Sequence, residues 1–261
     1  MRTVPALERG ILILKQVAHS SEPLSVSDIA TGLDIPRSVT YELVHTLVTQ
    51  DLLEQRSDGR VGLGVGVFAL GSSYVSGVDL VRESQSVARE VMHEAHETVQ
   101  VGRLDGSDVL YLAKVDSQQE IRLVSAVGRR VPAHCTGLGK MMLALLDPEE
   151  RDKRLTQPLV SLTERSITDP TALRTQLDAI AGQGFALEIG ESNPEVGCVA
   201  APVFDHSGCN VAAMSISVPL VRFDETRQAA LRELVINGAR RLSVRLGFAE
   251  PHEVGSPVEV A

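Results

Sequence analysis

The sequence predicts an α+β chain in two parts, and three observations carry that prediction. Three short amphipathic helical patterns followed by a hairpin-like pair occupy Leu7 to Leu63. Beyond about residue 97 the apolar residues alternate in pairs of strand-like runs around turn signals. Capped helical patterns separate those pairs, the arrangement expected of helices packed on an antiparallel sheet.

Leu7–His19 places Leu7, Ile11, Leu14 and Ala18 on one helical face, and Glu22-Pro23 interrupts the pattern. Ser25 is a suitable N-cap with Asp28 three residues on, and Val26, Ile29, Ala30 and Leu33 form the next apolar stripe. Gly32 and Asp34 then supply a turn. Pro36 suits a first helical turn, where its missing N–H would be unpaired anyway. After it Val39, Leu43, Val44, Leu47 and Val48 need a core. Ser38, Tyr41, Glu42 and His45 follow at i, i+3, i+4 and i+7 as a polar stripe with Arg37 at its N-terminal end. Leu52–Gln55, the turn signal Ser57-Asp58-Gly59 and Arg60–Leu63 read as a hairpin. Helix, helix, turn, helix and hairpin make a winged helix, whose third helix enters the major groove of DNA while Arg56 and Arg60 flank a wing tip at the phosphates. The competing reading is a small α+β domain with a solvated polar stripe and hairpin.

Val67–Glu97 is helical in pattern, with Val81, Ser84, Ala88, Val91 and Ala95 on one stripe, and connects the two parts. Thr98–Leu104 and Val109–Val115 flank Asp105-Gly106 as a hairpin, and Ile121–Val127 reads as a further strand. Gly137–Leu145 and Pro170–Ala181 read as helices, the second capped by Thr168 or Asp169 and stopped by Gly182 and Gly184. Cys198–Phe204 and Asn210–Val218 form another hairpin, turning at His206-Ser207-Gly208, and a last helix runs from Asp224 to about Leu246. The expected divisions are a DNA-binding domain at 1–66, a linker helix at 67–80, a sheet domain at 81–248 and a disordered tail at 249–261 with Pro251, Gly255 and Pro257.

Bulk properties narrow the function. A chain of 261 residues with 43% hydrophobic content can bury two cores. Scarce aromatics and no Trp disfavour a single-strand nucleic-acid channel that stacks bases on rings. Cys135, Cys198 and Cys209 are odd in number with no CxxC, which fits a reducing cytoplasm and neither a disulfide framework nor a zinc ribbon. No apolar run approaches the roughly 20 residues of a membrane span, and Ile11–Leu14 is too short for a signal peptide. The net charge of −9 opposes a large phosphate-binding surface. It is uneven: six basic and eight acidic residues lie up to Val75, and 19 against 26 beyond it. DNA contact must therefore come from a few placed cations and from a dimer.

The stretches ALERGILILKQVA, SVSDIATGLDIPRSVTYELVHTL and DGRVGLG resemble the winged-helix half of the IclR family of bacterial transcription regulators. VGRRVPAHCTGLGKMMLA and VGCVAAPVFDHSGCNVAAMSISVP resemble two recognisable stretches of that family's effector domain. The resemblance covers nearly the whole chain. It implies a homodimer or dimer of dimers that binds double-stranded operator DNA through the N-terminal part and a small molecule, often a carboxylic acid, through a GAF-like C-terminal domain. Carried over by motif position, the effector-binding residues are Gly137, Leu138, Glu188, Cys198, Ser215 and Ser217, with Leu123, Val131 and Val196 as apolar walls. Two departures stand out. Glu42 replaces the usual Arg of the recognition helix, removing a phosphate or guanine contact and suiting a cytosine N4 contact. Glu188 stands where Asp is typical, which narrows the pocket and suits a ligand hydroxyl or amine unless the carboxyl is protonated.

The residues of the second half fit acid sensing without a reactive centre. Thr136-Gly137-Leu138-Gly139 opens a helix whose amides can meet a carboxylate. A phosphate-binding P-loop ending at Gly139-Lys140 is excluded, because His134 stands where it needs Gly and Met141 where it needs Ser or Thr. Ser215 and Ser217 are two apart on a strand, so both hydroxyls face one side and can hold the acid group jointly with the amides after Thr136. His134 beside Cys135 suggests thiol catalysis, but strand neighbours point to opposite faces. His93 and His96 at i, i+3 could hold a metal with a third ligand, yet charged neighbours favour a solvated face, so no metal or cofactor is expected. The expectation is a cytoplasmic, homo-oligomeric transcription factor whose operator affinity changes when a small organic acid binds. The alternatives are an enzyme acting on such an acid, with the N-terminal domain used for oligomerisation, and a regulator with a collapsed pocket.

Overall fold

The computed structural model describes residues 3–77, 79–119, 126–155 and 158–249, which fall into two compact units, Met1–Gly77 and Val78–Ala261. The first holds helices α1 (Pro5–His19), α2 (Val26–Gly32) and α3 (Arg37–Thr49), a hairpin of β1 (Leu53–Gln55) and β2 (Val61–Leu63), and helix α4 (Val65–Gly77). Ser25 caps α2 in a reciprocal capping box: its hydroxyl accepts from the Asp28 amide, and the Asp28 carboxylate accepts from the Ser25 amide. Leu24 bridges Val61, adding a rung to the wing. Ile13, Val17, Val26, Ile29, Val44, Leu53 and Val61 form one core. Helix, turn, helix and wing occur in the expected order.

The face expected to be buried on α1 is not the one that is. Gly10, Ile13 and Val17 point inward, whereas Leu7 and Ile11 are exposed, Ala18 is exposed and Leu14 is half-buried. The helix is apolar on more than one side, so spacing alone does not choose, and contact with α3 and β2 decides. Pro36 stands one position earlier than expected, as the extended residue before α3.

The second unit is built on a six-stranded sheet of order β5-β4-β3-β8-β7-β6, antiparallel throughout: β3 (Thr98–Asp105), β4 (Asp108–Val115), β5 (Arg130–Pro132), β6 (Ala186–Ile189), β7 (Val196–Phe204) and β8 (Asn210–Pro219). Helices α5 (Leu80–Ala95) and α9 (Glu225–Arg245) cover one face, burying Val87, Val91, Met214, Ile216, Leu231 and Val235. Helices α6 (Gly137–Ala144) and α8 (Pro170–Gln183) cover the other, burying Leu138, Met141, Leu173, Leu177 and Ala213, and α7 (Pro148–Arg154) links them. Asp79 caps α5 and Asp169 caps α8, which ends at Gly184 in the left-handed conformation.

The expected connector is thus two helices, because Asp79 starts a new one after Gly77. Of the α5 stripe, Ser84, Ala88, Val91 and Ala95 are buried and Val81 is exposed, whereas its neighbour Leu80 packs against the core. The strand expected at Ile121–Val127 and the disordered tail at 249–261 lie almost wholly outside the described residues.

Candidate functional site

In the first unit, Ser38, Tyr41, Glu42 and His45 are all exposed on the face of α3 opposite its buried Thr40 and Val44, with Tyr41 51% accessible. Thr40 completes the inner face by donating to the Pro36 carbonyl at 3.2 Å. The cations are tethered from within: Arg37 donates to the Ser27 hydroxyl of α2, and Arg60 reaches the Pro23 carbonyl at 3.4 Å and Asp58 at 3.8 Å. Arg56 is exposed at the wing tip, where its amide closes the turn onto the Arg60 carbonyl.

In the second unit, the α6 side of the sheet carries polar groups in cross-strand rows. Glu188 lies opposite Cys198, Cys198 opposite Ser217, and Ser217 opposite Thr98. In the next row Ser215 lies opposite Gln100, and Gln100 opposite Lys114. Met214, Ile216 and Val218 take the alternate positions of β8 and face α5 and α9, so Ser215 and Ser217 do share the α6 side. The Ser217 hydroxyl donates to Gln100 Oε1 at 3.1 Å. Ser215 is 1% exposed on the same side.

Helix α6 begins against this floor. A Cβ on Gly137 would lie 2.6 Å from Cys198 Sγ and 3.7 Å from Glu188 Cβ, so only glycine lets the helix start so close to the sheet. The amides after Thr136 are not all open. Gly139 donates to Thr136 Oγ1 at 3.0 Å and the Gly137 amide bears on the Cys198 thiol, while the Leu138 amide makes no backbone hydrogen bond among the described residues. Leu138 packs over Gly102; Val131 is half-buried at the rim of the same apolar cluster, and Val196 is buried beside Cys198 along β7. Leu123 lies outside the described residues.

Glu188 is engaged by its own loop. Its Oε1 accepts the amides of Glu191 at 2.5 Å and Ser192 at 3.3 Å, and its Oε2 faces the Ser192 hydroxyl and the Cys198 thiol at 3.4 and 3.5 Å. Burial pushes its carboxyl up to about 7 against the opposing pull of those amides. Burial and the Glu188 carboxylate push the Cys198 thiol well above its ordinary value, and burial does the same to the Tyr111 phenol.

Sequence reasoning missed Lys140, fully buried and paired with Glu191, as well as Gln100 and Tyr111. The signals were present: Lys140 is a lone cation in an otherwise apolar helix, and Gln100 alternates with Val99 and Val101. The geometry of His134 and Cys135 also differs from expectation. They belong to a 3₁₀ turn, Ala133–Cys135, so they do not point to opposite faces; both contact the Val160 carbonyl, at 2.9 and 3.5 Å. With its thiol turned to a carbonyl and pushed up by burial, Cys135 is no activated nucleophile. His93 and His96 are exposed, and no group of three His, Cys, Asp or Glu side chains among the described residues could hold a metal.

Two family models match the chain: the IclR helix-turn-helix domain over residues 6–57 and the bacterial transcriptional regulator IclR C-terminal domain over residues 72–244. The chain belongs to the IclR family of transcriptional regulators. Among IclR relatives, the HTH-type transcriptional regulator KdgR of Escherichia coli is 31% identical over 241 residues, 92% of this chain and 90% of the relative. The structure of the Agobacterium tumefaciens repressor BlcR superposes with a TM-score of 0.87 at 28% identity, covering 95% of this chain and 99% of that one. An IclR homolog from Microbacterium hydrocarbonoxydans complexed with 4-hydroxybenzoate has a TM-score of 0.58 at 26% identity, covering 92% and 98%. IclR members are regulators, not enzymes, which sets aside the enzymatic alternative. No helix among the described residues is long and apolar enough to cross a membrane.

Proposed function

We propose that this IclR-family regulator binds operator DNA as a homodimer or dimer of dimers in the cytoplasm, and that a small carboxylic acid seated beneath α6 changes that binding. The observation that supports the acid site is the placement of the buried Ser215 and Ser217 on the α6 side of β8, with the glycine start of α6 packed against the same floor. The open Leu138 amide at the start of α6 suits an anion there. Gly137 and Cys198 shape this end of the site, Ser217 and Glu188 offer oxygens along the floor, and Leu123, Val131 and Val196 wall it. The 4-hydroxybenzoate complex of the Microbacterium hydrocarbonoxydans homolog supports an acid of this kind.

For DNA, Tyr41, Glu42, His45 and Ser38 face the major groove, and Arg37, Arg56 and Arg60 hold phosphates. Three cations per copy are few for stable binding, so a second copy is needed. Exposed apolar residues at and on α1 (Val4 just before it, and Leu7, Ile11 and Leu12) and on α4 (Val65, Phe68 and Leu70) suit contact between copies. The working divisions are 1–66 for DNA binding, 67–80 for the linker and 81–248 for the effector domain. Operator selection from a random DNA library, followed by calorimetric screening of organic acids, tests both halves. Failure to enrich any sequence, or a bound acid whose affinity is unaffected by Ser215→Ala, would count against the reading.

A further inference from the structure

The sheet of the second unit ends in an open edge at β6, which pairs with β7 and has no strand beyond it among the described residues. The Gly190 amide donates to the Val196 carbonyl at 2.9 Å, so the ladder has a hydrogen-bonded position there. Antiparallel alternation then turns the N–H and C=O groups of Leu187 and Ile189 away from β7. Side chains alternate as well. Ala186 and Glu188 face α6, which puts Leu187 and Ile189 on the α9 side, where Phe185 also packs and Ile189 is 38% exposed.

Beside this edge runs a groove of about 240 Å³, floored by Phe185, Leu187 and Val199 and walled by Glu225, Ala229 and Arg232 of α9. It is smaller than the roughly 300–1,000 Å³ of small-molecule pockets. Backbone groups left open at a sheet edge are instead completed by another strand, and apolar surface alongside adds to that contact. Charge favours the strand of a second copy. Glu225 and Arg232 stand about two turns apart on the groove side of α9, and Arg232 lies over the Phe185 ring, 5.2 Å from its centroid, with Glu233 at 3.5 Å. Antiparallel pairing of β6 with its own copy about a twofold axis reverses the second α9, so Glu225 of each copy comes to the Arg232 end of the other.

We propose that β6 pairs antiparallel with β6 of a second copy, joining the two sheets edge to edge over their merged grooves, with Glu225 and Arg232 matched across the twofold axis. This interface belongs to the second unit alone and to the face of the sheet opposite the acid site, so it stands or falls apart from that site. It supplies the second contact that a dimer of dimers needs besides α1 and α4.

Sedimentation equilibrium of the full-length protein tests it, with circular dichroism to establish that each variant is folded. Glu225→Arg and Arg232→Glu each set like charges against one another at both contacts, and each should halve the wild-type assembly mass. Mixing these two variants gives every Arg a Glu across the axis and should restore that mass, as should the double exchange Glu225→Arg, Arg232→Glu within one chain. Ile189→Pro removes an amide that β7 does not use and should halve the mass too; if it does not fold, the mixing result decides. A monomeric wild type, folded variants that keep the wild-type mass, or a mixture that does not regain it would overturn the pairing.

Discussion

Cys198 Sγ occupies the space that a side-chain carbon on Gly137 would need: the two would be 2.6 Å apart. Gly137→Ala should therefore displace the buried thiol or lift the start of α6, at a cost of about 1–3 kcal/mol. Adding Cys198→Ala should recover part of that loss. Urea unfolding of the single and double variants checks it, and additive losses would show that the two side chains do not compete for this space.

The Lys140–Glu191 pair lies wholly inside the α6 side of the second unit. Lys140→Met leaves Glu191 buried without its cation and should cost about 3–5 kcal/mol, while the double variant Lys140→Met, Glu191→Leu should lie closer to the wild type. Equal loss in the single and double variants would contradict the assignment.

Glu188 yields a pH dependence whose sign is fixed by burial. Its carboxyl is raised from an ordinary 4.5 to about 7 in the folded protein, so between these values the native state binds more protons than the unfolded one. The cost of ionising it is absent below about 4.5 and complete above about 7. Wild-type stability should thus fall relative to Glu188→Gln as the pH rises through that window. Parallel curves for the two proteins would show that Glu188 titrates normally.

Much of this was legible from the sequence where a local rule has one solution. The capping box at Ser25 and Asp28, the turn at Gly106 and the alternation of Ser215 and Ser217 against Met214 and Ile216 each follow from a short pattern. The buried face of α1 was not, because Leu7, Ile11, Leu12, Ile13, Leu14 and Val17 wrap more than half the helix and only packing against α3 and β2 selects among them. The commitment of Ser217 to Gln100 and of Lys140 to Glu191 joins residues 117 and 51 positions apart, a distance that periodicity does not span.

On the DNA face, Arg37, Arg56 and Arg60 are expected to touch phosphates. Replacing each with Ala should weaken binding to operator and random DNA alike and lower the salt slope by about one unit per lost contact. Substitutions at Tyr41, Glu42 and His45 should instead change the preferred base at particular positions, at about 1–3 kcal/mol per good contact. An unchanged selected consensus in all three variants would remove this stripe from the reading face.

The central claim is that a ligand in the second unit governs DNA binding by the first. Fluorescence anisotropy on the selected operator, with and without a saturating acid found by calorimetry, tests it most directly when wild type and Ser215→Ala, Ser217→Ala are compared. The wild-type operator affinity should change by about 5- to 150-fold on adding the acid, the usual range for coupled sites. The double variant should bind the operator as the wild type does without acid and fail to respond to it. An acid that shifts both proteins equally, or a bound acid that leaves the wild-type operator affinity unchanged, would contradict the account.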